Sequence, residues 1–527
     1  MRRLIVLLPL IIGVSIAAGV LLGSRIGHKS NDDSDENSFG KIKAVLSYVQ
    51  ANYVDSVNAE KLTDLTLEEM LQHLDPHSDY FTAEETKAMN EPLKGNFDGI
   101  GIEYNFVRDT LVVMAVIPGG PSEKAGLQTG DRIVRANDTL IVGKNAGEDF
   151  IRKKLRGPKG TKVTVKIKRP TKVAMFDVSI TRGSIPIHSV EGSYMLNGEV
   201  GYVKLNRFAE TSYDEFVNAC DSLLKLGMKK IVLDLRGNGG GYLSAATSIA
   251  DEFLSKGKMI VYTKGRMDGE EKSLATDKGN LENMPLVILV DENSASASEI
   301  LAGAIQDNDR GEIVGRRTFG KGLVQEEKQL NDGSAFRLTI ARYYTPTGRC
   351  IQKPYDKGLA AYEADEQNRY KHGEFVNADS IKFPDSLKFK TPGGKIVYGG
   401  GGIMPDLFVP LDTSEGSKFL NDLFYKDIFT LWSLDYVQKN KGELLKLGLS
   451  KFRTNFVVSD AMVNELIAIG GKNGVEKNEA QLFRSIVLVR KYMKAAIARN
   501  VWGSAGYLQI WNQDDTFLHA ALSTFKK

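Results

Sequence analysis

The stretch PLVILVDENSASASE, residues 285–299, decides the fold of this chain. Its first half is an unbroken apolar run. A strand covered on both faces loses the alternation of polar and apolar residues, so this run reads as a buried strand. It ends in a serine-rich polar turn, after which Ile300, Leu301, Ala304 and Ile305 recur at helical spacing. The pattern occurs a second time. KKIVLDLRGNGGG, residues 229–241, is a buried strand running into a glycine turn, and residues 242–254 read as a helix. GEIVG, GLVQEEKQL and SAFRLTIARYYTP supply further strands. Strands alternating with helices predict an α/β core with a largely parallel sheet over residues 183–413.

Upstream the pattern changes. Residues 95–182 read as short strands and turns: GIGIEY at 99–104, then LVVMAVIPGGPSEKAGLQTGDRIVRAND, then an alternating strand through Val163, Val165 and Ile167. The Gly99-Ile100-Gly101-Ile102 loop, the PGGPSEKAGL segment and the GDRI turn together resemble a PDZ domain. Successive N–H groups in such a loop form a nest for a chain-terminal carboxylate, and the neighbouring edge strand accepts an extended peptide by β-augmentation. Ile100 and Ile102 would then line the pocket for the last side chain.

The ends of the chain are helical in pattern. Residues 39–94 carry Ile42, Val45, Leu46, Val49 and Tyr53, then Leu62, Leu65, Met70, Leu71 and Leu74, stopping at Asp75-Pro76. These stripes predict packing within the chain. Residues 414–527 carry three helical stretches and no recognisable chemistry. At the very start, Arg2 and Arg3 precede the uncharged apolar residues 4–23, a helix of ~30 Å if it spans a bilayer. Residues 1–29 are therefore expected to be a signal anchor or signal peptide, followed by an acidic linker at 30–38. The rest of the chain would then lie outside the cytoplasm, in the cell envelope.

Composition narrows the function. The 527 residues carry a net charge of +3, spread along the chain, which gives no footprint for nucleic acid. Two cysteines make no disulfide framework, and six scattered histidines show no metal-ligand spacing, so neither a metal nor another cofactor is expected.

Chemistry concentrates at two strand ends and one loop. A glycine turn and a serine at a helix N-terminus together offer backbone N–H donors and a nucleophile, the pair that acyl transfer needs. Ser294, Ser296 and Ser298 are equivalent in this reading, and Ser294 or Ser298 could simply be a helix cap. Lys321, between glycines in TFGKG, is a candidate base of the kind that replaces histidine in Ser-Lys hydrolases. Gln325 lies four residues on and shares a strand face with it. A lysine acting at neutral pH needs burial to lower its pKa, and Phe319 and Leu323 are candidate neighbours for that.

DPHSDY (75–80), DLRGNGGG, ATDKG (275–279), SASASE, GRRTFGKGLVQ, TPTGRCIQ (345–352) and GGGIMPD (400–406) resemble, together with the PDZ segment, the carboxyl-terminal processing peptidases, also called tail-specific proteases. The resemblance runs from about residue 41 to 410. It implies a crotonase/ClpP-like α/β protease core with an inserted PDZ domain, a helical N-terminal region and a helical C-terminal extension. It implies Ser296 as nucleophile, Lys321 as base and Gln325 as the residue holding the lysine. The amides of Gly240 and Ala297 would be the oxyanion donors. Where the family usually has proline, this chain has Gly239, which loosens the turn. Implied partners are proteins with exposed apolar C-terminal tails, bound by the PDZ domain; an adaptor protein and a homo-oligomer are compatible with it. DPHSDY itself is expected to be a helix-ending turn packed on the core. Two other readings compete: an inactive membrane-tethered PDZ scaffold, and a crotonase-like hydratase or acyl-transferase, which would need neither the PDZ insertion nor the lysine.

Overall fold

The computed structural model describes residues 36–107, 110–143, 147–267 and 269–526. The signal-anchor expectation and most of the acidic linker lie outside them. Among the described residues, no helix is long and apolar enough to cross a membrane.

The chain divides into two units, residues 1–71 and 72–527. In the first, Glu36–Asn52 is helical and Ala59–Gln72 begins a second helix. Of the apolar stripes expected to pack within the chain, Ile42, Val45, Tyr53, Leu65 and Met70 are exposed, Leu46, Val49 and Leu62 are half-buried, and Leu71 is buried.

The α/β core of the second unit is a six-stranded sheet in the order Val190–Met195, Val200–Leu205, Lys230–Asp234, Leu286–Val290, Glu312–Gly315, Leu407–Phe408. The first pair is antiparallel and every other pair is parallel. The apolar runs in the sequence follow from burial on both faces. Val203, Leu233 and Ile288 pack against Phe216, Ile249, Leu301 and Ile305 from the helices Ser212–Lys225, Leu243–Asp251 and Ala297–Asp307. Tyr202, Val232, Val287, Leu289 and Val314 face the other way, onto Leu508, Phe517, Leu518 and Ala521. The helix Thr516–Thr524 therefore completes the α/β core, although the pattern of residues 414–527 reads as a separate extension. Each large apolar side chain so buried stabilises the fold by roughly 1.5–3 kcal/mol.

A second, antiparallel sheet is built on Ala335–Tyr344, which pairs with Met259–Gly265, with Leu323–Gln329 and with the three-residue strand Asp79–Phe81. The region read as wholly helical thus contributes a strand to this sheet, and Asp79–Phe81 is too short to show a period.

The PDZ domain is an antiparallel sheet ordered Ile102–Val107, Thr110–Val116, Arg132–Ala136, Lys162–Lys168, Phe176–Thr181, with Thr139–Leu140 paired onto Arg132–Ala136. Val163, Val165 and Ile167 point inward, as their alternation predicts, onto Leu111, Val113, Ile133 and Ile151. Ile151 belongs to the helix Glu148–Leu155, which residue patterning did not reveal. Four further helices, Lys418–Tyr425, Ile428–Asn455, Asp460–Lys472 and Glu479–Trp511, form their own core around Trp432, Phe452, Val489 and Met493. Val112 of the PDZ sheet is part of that core.

Candidate active site

Five strands of the core sheet run parallel, so the loops at their carboxyl ends gather along one edge, where open α/β sheets bind ligands. Three of those loops carry the predicted residues: the glycine turn after Lys230–Asp234, the serine run after Leu286–Val290, and the loop from Arg316 to Gly322 after Glu312–Gly315.

The structure separates the three serines. Ser294 and Ser298 are completely buried. Ser294 Oγ donates to the Leu235 carbonyl at 2.8 Å, and Ser298 Oγ donates to the Asn238 carbonyl at 2.8 Å. Both hydroxyls fasten the serine run to the glycine turn. Ser296 is partly exposed and stands just ahead of the helix Ala297–Asp307. Its backbone is at φ 54, ψ −113. A non-glycine residue there carries strain of roughly 1–3 kcal/mol, and such strain concentrates at sites where one side chain must be presented.

Glu299 holds that backbone in place, and sequence reading overlooked it. It is fully buried. Its Oε2 accepts from Ser296 N at 2.8 Å and Lys321 N at 2.9 Å, and its Oε1 accepts from Gly320 N at 2.8 Å and Thr318 Oγ1 at 2.5 Å. Burial raises its pKa to about 7, against the pull of those donors, which favour the carboxylate. The Ser-x-x-Glu spacing, a capping-box signature, was the available signal. Tyr343 adds a second tie between the same loops. Its hydroxyl donates to the Lys321 carbonyl at 2.6 Å and lies 3.2 Å from the Ser296 carbonyl.

The Lys321 side chain donates from Nζ to Gln325 Oε1 at 2.8 Å. Gly320, just ahead of the lysine, is at φ 91, and the strand that follows shifts register between Val324 and Gln325. Burial, and after it the nearby Arg337 guanidinium, brings the Lys321 pKa down to about 8. Gln325 is itself oriented: its Nε2 donates to the His77 carbonyl. Around it the DPHSDY turn is stitched to the second sheet, with Asp75 accepting from Ser78 and from Thr339. His77 Nε2 is 2.8 Å from the Tyr362 hydroxyl, and burial, then the charge of Lys321, lowers its pKa to about 4, so it is neutral. The turn is thus packed on the core as expected, and it also supports Gln325. Of the two apolar residues expected to desolvate Lys321, Leu323 is buried. The Phe319 ring instead lies against a different lysine, with Lys353 Nζ 4.0 Å from its centre.

The glycine turn is pressed onto the serine. A Cβ on Gly240 would stand 2.8 Å from Ser296 Cβ and 3.0 Å from Ala297 N. Asn238 braces it, donating from Nδ2 to the Leu205 carbonyl at 2.9 Å and accepting from Ala295 N at 3.0 Å through its carbonyl. Of the two expected oxyanion donors, Ala297 N–H meets no acceptor among the described residues, whereas Gly240 N–H donates to Asn238 Oδ1 at 2.9 Å. Gly239 N–H also meets no acceptor there, and its Cβ position is open, so proline could stand at 239.

In the PDZ domain, Gly99 ends the strand Asn96–Gly99, Ile100 is buried in the domain core and Ile102 packs partly against it. The carbonyls of Ile100 and Gly101 accept from Ser122 N and Ile117 N. Their N–H groups meet no acceptor among the described residues. Among the described residues, Ile102–Val107 pairs on one side only, with Thr110–Val116, which leaves its other edge without a strand partner. Among the described residues, no cluster of side chains suits a metal ion.

Comparison with known proteins places the chain among its relatives. Residues 199–360 match peptidase family S41, residues 99–180 match the PDZ domain, and residues 419–503 match a family of unknown function, DUF8443. The chain is 30% identical over 501 residues to the carboxy-terminal processing protease CtpA of Bacillus subtilis strain 168, covering 94% of this chain and all of that one. It is 36% identical over 345 residues to a carboxy-terminal-processing protease of Bartonella bacilliformis, covering 64% of this chain and 78% of that one. Among solved structures, the photosystem II D1 C-terminal processing protease is 26% identical, with a TM-score of 0.36 over 71% of this chain and 87% of that one.

Proposed function

Because the chain belongs to peptidase family S41 and is a serine peptidase with a PDZ domain, we propose that Ser296 is its nucleophile, Lys321 its general base and Gln325 the residue that aims the lysine. The observation that carries this reading is the contrast among the serines. Two hydroxyls are spent on structure, while Ser296 is presented at a strained turn that shares a buried carboxylate with the lysine loop.

The reaction follows from the groups. Neutral Lys321 takes the Ser296 proton as Oγ attacks the scissile carbonyl. The tetrahedral oxyanion meets the N–H of Ala297, at the positive end of its helix, and an amide of the glycine turn. Collapse expels the amine, which takes a proton from the lysine, and water then releases the acyl group by the same sequence of transfers. A pKa near 8 leaves a useful fraction of the lysine neutral at physiological pH while keeping it basic enough to act.

Substrates are proteins with a free, apolar C-terminal tail. The tail adds a strand to the open edge of Ile102–Val107, and its carboxylate sits on the N–H groups of Ile100 and Gly101. Residues 4–23, with Arg2 and Arg3 ahead of them, support an envelope location with the catalytic part outside the cytoplasm. The test is hydrolysis of one protein substrate in three forms: with its natural tail, with the tail amidated, and with its last residues removed. Only the first should be cleaved, and Ser296→Ala and Lys321→Ala should each abolish that cleavage. Equal cleavage of all three forms rejects tail recognition; full activity in either variant rejects the catalytic pair.

A further inference from the structure

The C-terminal helices reach the roots of the catalytic loops. Arg236 opens the glycine turn. Its Nε and Nη2 are held by Asp234, and its Nη1 donates to Asp515 Oδ2 at 2.8 Å. The same guanidinium lies 4.6 Å from the ring centre of Phe517. On the ring's other neighbour, the guanidinium of Arg316 lies 5.1 Å away. Arg316 opens the lysine loop and is fixed by two hydrogen bonds, 2.7 and 3.0 Å, to Glu292, which stands just ahead of the serine run. One aromatic ring and one carboxylate of the extension thus touch the arginines that anchor all three loops of the site. Asp515, Phe517, Arg236 and Arg316 are all largely buried, so water cannot substitute for a lost partner.

We propose that Asp515 and Phe517 are positioning residues of the active site, and that the C-terminal extension, most of it matching a family of unknown function, is a working part of the peptidase. They act through Arg236 and Arg316 by fixing the glycine turn against the serine elbow. Gly240 already approaches Ser296 to contact distance, so the donors that receive the oxyanion have almost no slack. Catalysis is sensitive to shifts of this kind: a misplacement of about 1 Å can cost on the order of 100-fold in rate.

The inference rests on the assignment of Ser296, and the experiment keeps the two apart. Asp515 offers a clean substitution. Its Oδ1 caps the helix Thr516–Thr524 by accepting from Leu518 N at 3.1 Å, while Oδ2 serves Arg236. Asp515→Asn keeps the cap, because asparagine caps as well as aspartate, and removes the charge that faces Arg236. Phe517→Leu keeps an apolar side chain and removes the ring. Both are made in the full chain, with Asp515→Glu as the conservative control. Four quantities are measured: kcat, KM, affinity for a peptide boronic acid whose serine adduct carries the oxyanion, and affinity of the PDZ domain for a tail peptide. Expected is a fall of about tenfold or more in kcat, with boronate affinity falling in step. KM and tail affinity should stay within about twofold, and Asp515→Glu should recover part of the loss. A folded Asp515→Asn enzyme with wild-type kcat overturns the proposal. So does a lower melting temperature with unchanged boronate affinity. If instead Ser296→Ala remains active, the catalytic assignment fails, whatever these variants do.

Discussion

Glu299 joins Lys321 to Ser296 through a single oxygen: Oε2 accepts the backbone N–H of both residues, at 2.9 and 2.8 Å. The proposed base and the proposed nucleophile belong to different loops, and this buried carboxylate ties the two loops together. Glu299→Gln is therefore expected to damage both stability and catalysis. One of its polar atoms becomes an NH2 group pointed at N–H donors, leaving buried donors unpaired at a cost of roughly 1–3 kcal/mol. Activity should fall by more than the loss of folded protein explains, because the serine's strained backbone loses its tether. Chemical denaturation and kcat on the same preparation check both effects.

The pH dependence should follow the lysine. Lys321 must be neutral to accept the serine's proton, so kcat/KM should rise with pH through about 8 and level off above it. Arg337 is one cause of the low value, so Arg337→Gln should move that limb to higher pH. Stability follows the same group. Its pKa is 10.5 in the unfolded chain and about 8 in the folded one, so between those values the unfolded state binds more protons and folding stability rises with pH. Below pH 8 the charged, desolvated ammonium costs about 3 kcal/mol, less what its partial exposure returns. Lys321→Met should consequently be inactive yet more stable than wild type at pH 6 by about 1–2 kcal/mol, even after losing the hydrogen bond to Gln325. Urea melts at pH 6 and pH 10 decide it: the stabilisation should shrink at the higher pH.

Much of this architecture is legible without coordinates. Strands such as Leu286–Val290 are apolar throughout because both their faces are covered, and that pattern survives in the sequence. The loop lysine and the glycine turn are equally visible. The choice among the serines is not, because it depends on Leu235 and Asn238, whose carbonyls engage Ser294 and Ser298 from about sixty residues away. Local spacing carries no trace of such contacts, and the family pattern had to supply Ser296. Glu299 is the opposite case: its spacing from Ser296 was readable as a cap, while the bonds to residues 318, 320 and 321 that give it importance were not. The role of Thr516–Thr524 was hidden for a third reason. An amphipathic helix looks the same whether it closes its own bundle or covers a distant sheet.

Gly240 should tolerate no side chain. Its φ of 100 is a region that favours glycine, and an added Cβ would stand 2.8 Å from both Ser296 Cβ and the Ala295 carbonyl oxygen. Both contacts are too short for real atoms, so Gly240→Ala must push the turn away from the serine elbow. The expected loss of kcat is on the order of 100-fold or more, with KM little changed. Gly239→Ala is the internal control. Nothing lies within 4 Å of its Cβ position, so activity should be retained. Comparable activity in the two variants would remove the glycine turn from the oxyanion site.

Gly101 supplies the corresponding test in the PDZ loop. It sits at φ 76, and a Cβ there would come within 2.9 Å of Ile185 Cδ1 and 3.3 Å of Pro121 Cδ. The left-handed backbone alone costs a larger residue roughly 1–2 kcal/mol, so Gly101→Val should rearrange the loop and turn its N–H away from the incoming carboxylate. The loop is far in sequence from the catalytic residues, so the effect should appear in recognition. Affinity for a tail peptide, measured by fluorescence anisotropy, should fall at least tenfold. KM for a tailed protein substrate should rise with it. Labelling of Ser296 by a small fluorophosphonate, which needs no tail, should proceed at the wild-type rate. If labelling slows as much as tail binding weakens, the PDZ loop is doing more than capturing substrate, and its occupancy is coupled to the alignment of Ser296 and Lys321.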